Sequence, residues 1–75
     1  MKTKKSFEKF EISYFRSVNK EPLVTDDINL VRDLITRLEM WDYVDINEVN
    51  MIIGYYPDGD FDMIWTSEEG ELISL

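Results

Sequence analysis

Cysteine and histidine are both absent from the 75 residues, as are alanine and glutamine. Without Cys no disulfide can staple the chain, and without Cys or His the usual zinc ligands are missing. The same absences remove the side chains that most often serve as base or nucleophile near neutral pH. Ser67 and Thr66 have only carboxylates as candidate bases, and the three glycines, 54, 59 and 70, form no phosphate-cradling loop. A carboxylate pair can act as acid and base, but it needs a cleft and one raised pKa, for which so small a chain has little volume. Neither an enzyme nor a cofactor-binding protein is expected.

Long apolar runs are missing too. The longest uninterrupted aliphatic run is Met51 to Ile53, far short of a membrane span. Lys2, Lys4 and Lys5 imitate the basic start of a signal peptide, but Glu8, Lys9 and Glu11 interrupt the segment that would have to be apolar. The expected compartment is the cytoplasm. Abundant Ile, Asp, Lys, Asn and Tyr fit the coding bias of an AT-rich genome, such as that of a low-GC bacterium or its phages.

Hydrophobic residues make up 44% of the chain and ten residues are aromatic, which suits a single domain over residues 1–75, with 1–6 as a flexible basic tail. A chain of this size buries only about 60% of the surface its unfolded form exposes. Its core therefore depends on well-packed aromatics or on association with itself or a partner.

Bases are scarce where acids are dense. Residues 1–20 hold six basic and two acidic side chains, whereas 21–75 hold two basic and fourteen acidic, for an overall charge of −8. Beyond Arg37 there is no Lys or Arg, yet there are ten carboxylates. Mixed-sign surfaces are the norm, so this segregation is the strongest signal in the sequence.

Phe10, Ile12 and Tyr14 alternate with Lys9, Glu11 and Ser13, which predicts a strand within 7–18, followed by a loop from Asn19 to Pro22. Thr25, Asp26 and Asp27 offer capping oxygens ahead of Ile28, Val31, Leu34, Ile35, Leu38 and Trp41 at helical spacing, which predicts a helix over about 26–41. Residues 42–48 read as a loop. From Val49 the period becomes two. Val49, Met51, Ile53 and Tyr55 are expected on one face, matched across a Pro57-Asp58-Gly59 turn by Phe61, Met63 and Trp65. A second turn at Glu68-Glu69-Gly70 would set Trp65 opposite Ile73 and Met63 opposite Leu75. The expected fold is α+β: one amphipathic helix on an antiparallel sheet, in the order β-α-β-β-β.

Asp58, Asp60, Asp62, Ile64, Thr66 and Glu69 fall at the ligand offsets of an EF-hand loop, but Met63 stands where that loop needs Gly and the flanks read as strands. No metal site is expected there. The basic residues before position 21 lack an aromatic-interleaved or helical setting, and the overall charge repels nucleic acid and anionic lipid.

The acidic half is the remaining candidate for function. Alternate strand residues lie about 6.6 Å apart, comparable with successive phosphates along a nucleic-acid strand. On the expected register Asp60 and Asp62 point outward near Tyr56, Ile52 and Ile64, and the row is extended by Asp58, Glu68, Glu69 and Glu71. Charge rimming an aromatic anchor is the pattern of an electrostatically steered interface. The expectation is a small acidic module that inhibits a basic partner by occupying its nucleic-acid-binding surface. Its candidate binding residues are Tyr56, Asp58, Asp60, Asp62, Glu68, Glu69 and Glu71. Inhibitors of this size and charge, encoded by phages and mobile elements, act on host nucleases. Two alternatives are an antidote to a basic toxin and a homodimeric accessory protein in which Ile52, Ile64 and Leu72 form the dimer face.

Overall fold

A computed structural model describes residues 6–37 and 44–75. One helix packs on a five-stranded antiparallel sheet, so the α+β architecture stands as expected. Strand β1 (Lys9–Tyr14) buries Phe10 and Ile12 and turns Lys9, Glu11 and Ser13 to the opposite face. The chain then makes a 3₁₀ turn over Arg16–Val18, and Asn19 takes the left-handed conformation (φ 59°) that asparagine tolerates well.

After Pro22 the structure adds an element that the periodicity did not announce. Leu23–Thr25 forms β2, pairing with β1 so that Phe10 lies opposite Thr25 and Ile12 opposite Leu23. Three residues are too few to display a period.

Asp27 starts the helix: its Oδ1 accepts from the Asn29 and Leu30 amides at 3.0 and 3.2 Å, filling two of the donors a helix start leaves open. Thr25 Oγ1 in turn accepts from the Asp27 amide at 3.1 Å. Within the described residues α1 is Ile28–Arg37, so the start expected at 26 moves two residues on, while Leu38 and Trp41 lie outside them. Leu30, Val31, Leu34 and Ile35 are buried against the sheet; Ile28, expected on that side, is exposed because it sits in the first turn.

Of the segment read as a loop, 42 and 43 lie outside the described residues, Val44 is buried, and Ile46–Glu48 makes a 3₁₀ turn capped by Asp45. Strands β3 (Val49–Tyr55), β4 (Phe61–Thr66) and β5 (Gly70–Glu71) follow, giving the sheet order β2-β1-β3-β4-β5. α1 thus carries the chain over β1, and β1 inserts between β2 and the last three strands.

The face expected to be the core is largely the wrong one. Tyr55 opposes Phe61 and Ile53 opposes Met63, as the turn predicted, but Met51 opposes Thr66 and Ile52 opposes Trp65. Ile64 is therefore an extra residue in β4, and Asn50 is likewise extra where β3 pairs with β1. Each bulge reverses the in-and-out parity of its strand. Val49 and Trp65 are buried as expected, whereas Ile52 and Ile64, assigned to the outside, are completely buried. Met51, Ile53, Tyr55, Phe61 and Met63 lie instead on the face away from the helix.

Gly54 shows why this parity wins. A Cβ there would stand 2.5 Å from Phe7 Cδ1 and 2.7 Å from Ile64 Cδ1, so the inner face needs a glycine where Phe7 lies across the sheet. The second turn also differs. Thr66 pairs with Gly70 and Trp65 with Glu71, so Ile73 and Leu75 do not extend a strand. The Leu72 and Ile73 amides both donate to the Ile64 carbonyl, and the chain end turns onto α1, where the Leu75 carbonyl accepts from Arg32 at 3.2 Å.

Candidate interaction surface

The face away from α1 has no layer of the described chain over it. Across it lie Val24 of β2, Ile53 and Tyr55 of β3, and Phe61 and Met63 of β4, with Val24 58%, Phe61 54% and Met63 41% exposed. Tyr55 and Phe61 stack with ring centroids 5.9 Å apart. Tyr55 is held in place: its hydroxyl donates to Glu11 Oε1 at 2.8 Å, and Lys9 Nζ stands 5.9 Å from its ring centroid. The hydrogen bond to Glu11, then burial and the nearby negative charge, raise the Tyr55 pKa above its ordinary 10.0.

Each end of this face opens into a shallow groove. Near the β3–β4 turn, Glu8, Lys9, Glu11, Val24 and Tyr55 line one together with the turn itself. At the opposite end Phe15, Met51 and Met63 line another beside Glu68 and Glu69. Phe15 is steadied there by its amide, which donates to the Glu48 carbonyl at 3.0 Å. Glu48 is tied to the same region by Lys20, whose Nζ lies 2.7 Å from Glu48 Oε1 and 5.4 Å from the Tyr14 ring centroid. That hydrogen bond, opposed by some desolvation, raises the Lys20 pKa above 10.5.

Four of the six acids singled out from sequence divide between the two ends. Asp58 and Asp60 are exposed in the β3–β4 turn and shape it: Asp58 Oδ1 accepts from the Asp60 amide at 3.0 Å, and Asp60 Oδ1 from the Phe61 amide at 2.9 Å. Gly59, at φ 94°, donates its amide to the Tyr56 carbonyl, completing the expected type I turn with its glycine bulge. Glu68 and Glu69 are exposed in the β4–β5 turn, where Thr66 Oγ1 accepts from the Glu69 amide. Strand β4 separates the two turns by roughly 17 Å at the usual rise per residue. They form two acidic ends and not one row.

Tyr56 lines the groove at the β3–β4 turn, whereas Asp62 belongs to neither end of the open face. Asp62 pairs with Gly54 on the helix side and is half-buried, its Oδ2 accepting from the Tyr56 hydroxyl at 2.7 Å. The Tyr56 ring stacks on Phe7 at 4.6 Å, so it serves the packing around Gly54. The parity reversal that buries Ile64 also turns Asp62 inward. Glu71, exposed on β5, lies beside Arg32 and Thr36 of α1, away from the open face.

Sequence reasoning placed Met51, Ile53, Tyr55, Phe61 and Met63 inside and so missed them as surface residues. The available signal was Gly54, since a glycine within a strand marks a close approach on its own face. Among the described residues no group of three acidic side chains converges as metal ligands would. Nor is any helix there long and apolar enough to cross a membrane. Comparison with known protein families, with curated proteins and with solved structures finds no match for this chain.

Proposed function

We propose that this protein is a small acidic interaction module that inhibits a basic partner by occupying its nucleic-acid-binding surface, without chemistry of its own. One observation carries the reading. Among the described residues an aromatic and methionine-bearing sheet face is left open, and its two end grooves are lined by four carboxylates, Glu8, Glu11, Glu68 and Glu69, and one ammonium, that of Lys9. Contiguous exposed apolar surface rimmed by charge marks interaction sites. The excess of one sign accelerates encounter with a basic partner and rejects acidic ones. Phage and mobile-element inhibitors of host nucleases are the class of protein that this size and charge fit.

The test is a panel of nucleases and DNA-binding proteins assayed with and without competing DNA. Inhibition relieved by excess DNA is expected. The Asp58→Asn/Asp60→Asn/Glu68→Gln/Glu69→Gln protein, folded by circular dichroism, is expected to inhibit with a slower association rate and a flatter salt dependence. Equal inhibition by that variant, or none by the parent protein across the panel, rejects the reading. The same open face favours one rival, a homodimer closed over it. A sedimentation measurement showing a tight dimer would support that rival.

A further inference from the structure

We infer that the open sheet face seats an amphipathic helix of the partner protein, with an apolar stripe lying along β3 and β4 and Lys or Arg at both ends of the stripe. This rests on the reading that function lies in a basic partner, and it assigns the apolar part of the contact to strand residues between the acidic turns. Covering a sheet face takes another layer, and α1 already covers the opposite face in this way. The apolar strip from Met51 to Tyr55 is about 13 Å long, flanked across one strand spacing by Phe61 and Met63. A helix of about 14 residues, roughly 21 Å long, would span this strip and reach both end grooves. Its terminal bases would then meet Glu8 and Glu11 at one end and Glu68 and Glu69 at the other.

The anchors are already ordered. Tyr55 is pinned by Glu11 and stacked on Phe61, so little side-chain freedom remains to be lost on binding. Aromatic side chains fixed in this manner are the usual centres of interface energy. Charge decides against a second copy as occupant. Two such faces together would bring Glu8, Glu11, Glu68 and Glu69 of both copies together, with Lys9 the one base among the described lining residues.

The experiment uses the full chain and two synthetic peptides of about 14 residues with the same leucine stripe. One peptide carries Lys at both ends and the other carries Glu; polylysine serves as a charge-only control. The Lys-ended peptide is expected to bind by calorimetry and to shift the amide resonances of Met51, Ile53, Tyr55, Phe61 and Met63. Phe61→Ser/Met63→Ser, both exposed positions, should weaken it by at least about tenfold, and Met63→Ser alone by less. Equal binding of the Glu-ended peptide, unchanged affinity in the double variant, or the same amide shifts from polylysine would each overturn the proposal. So would a dimer in solution that Phe61→Ser dissociates. Peptide binding without inhibition in the nuclease panel would reject the inhibitory reading and leave the helix seat standing. Inhibition retained by a double variant that no longer binds the peptide would reject the seat alone.

Discussion

Gly54 is the residue on which the orientation of the sheet turns. Its missing side chain leaves room for Phe7 and Ile64 on the inner face, and the Phe7 ring in turn packs on Phe10 and Tyr56. Gly54→Ala is expected to destabilise the protein by about 1 to 3 kcal/mol in urea unfolding, the usual range for a methyl forced into a packed site. Phe7→Ala should recover part of that loss in a double-mutant cycle, because the two changes share one contact. Strict additivity would mean that the ring does not govern the position. Tyr55 makes a second residue-level case. Its pKa is raised in the folded state, so its contribution to stability is present below pH 10 and is lost as pH rises through the folded value. Lys20, raised above 10.5 by Glu48, has the same sign and adds to the same alkaline window. Absorbance titration of tyrosinate should show an ionisation above the ordinary value that Tyr55→Phe removes, and the variant's unfolding midpoint should vary less with pH beyond 10. An unchanged titration in Tyr55→Phe would contradict the Glu11 hydrogen bond.

At the level of elements, the bulges at Asn50 and Ile64 decide which half of each alternating strand faces α1. Alternation in the sequence marks two faces but does not say which is covered, and one extra residue exchanges them. The β4 pattern admits both answers, since Phe61, Met63 and Trp65 alternate as cleanly as Asp62 and Ile64. In the fold, Ile64 and Trp65 both point inward across the bulge. Ile64→Ala and Ile52→Ala are accordingly expected to cost about 2 to 5 kcal/mol, whereas Met63→Ala and Phe61→Ala should stay within about 0.5 kcal/mol. Calorimetric or denaturant unfolding of the four variants separates the two parities outright, because the opposite one ranks them in reverse. The helix was more legible than the strands. Val31, Leu34 and Ile35 repeat at its period, and Asp27 supplies the cap oxygen that its position implied. A helical stripe names its buried side by itself, which a half-buried strand does not.

Across the whole molecule, charge and uncovered apolar surface act together. Fourteen acids against two bases beyond residue 20 repel one another, and added monovalent salt screens them. The melting temperature is expected to rise with ionic strength from the low-salt value, and calcium should do no more than sodium chloride at matched ionic strength. A fall in stability with salt would place favourable ion pairs, of which Lys20–Glu48 is an example, ahead of the repulsion. Screening should also weaken any partner steered by the acidic ends, so stability and association are expected to move in opposite directions with salt.

Charge segregation, the helix with its cap, the tight turn at Pro57-Asp58-Gly59 and the pairing of Tyr55 with Phe61 and of Ile53 with Met63 could all be read along the chain. These are local matters: a period, a side chain reaching its own backbone, or a turn type that sets the register beside it. Tertiary structure decided which face of the sheet is closed, where β1 inserts, and that Leu23–Thr25 pairs at the edge. It also sent Asp62 inward, set Glu71 beside α1, and divided Asp58, Asp60, Glu68 and Glu69 between two ends of an apolar face. Each of these depends on contacts between residues far apart in the chain, such as Phe7 over Gly54 and Glu11 on Tyr55. No window of neighbouring residues contains that information. The bulge that leaves Phe61 and Met63 facing outward is the physical reason the candidate binding surface was hidden from the sequence pattern.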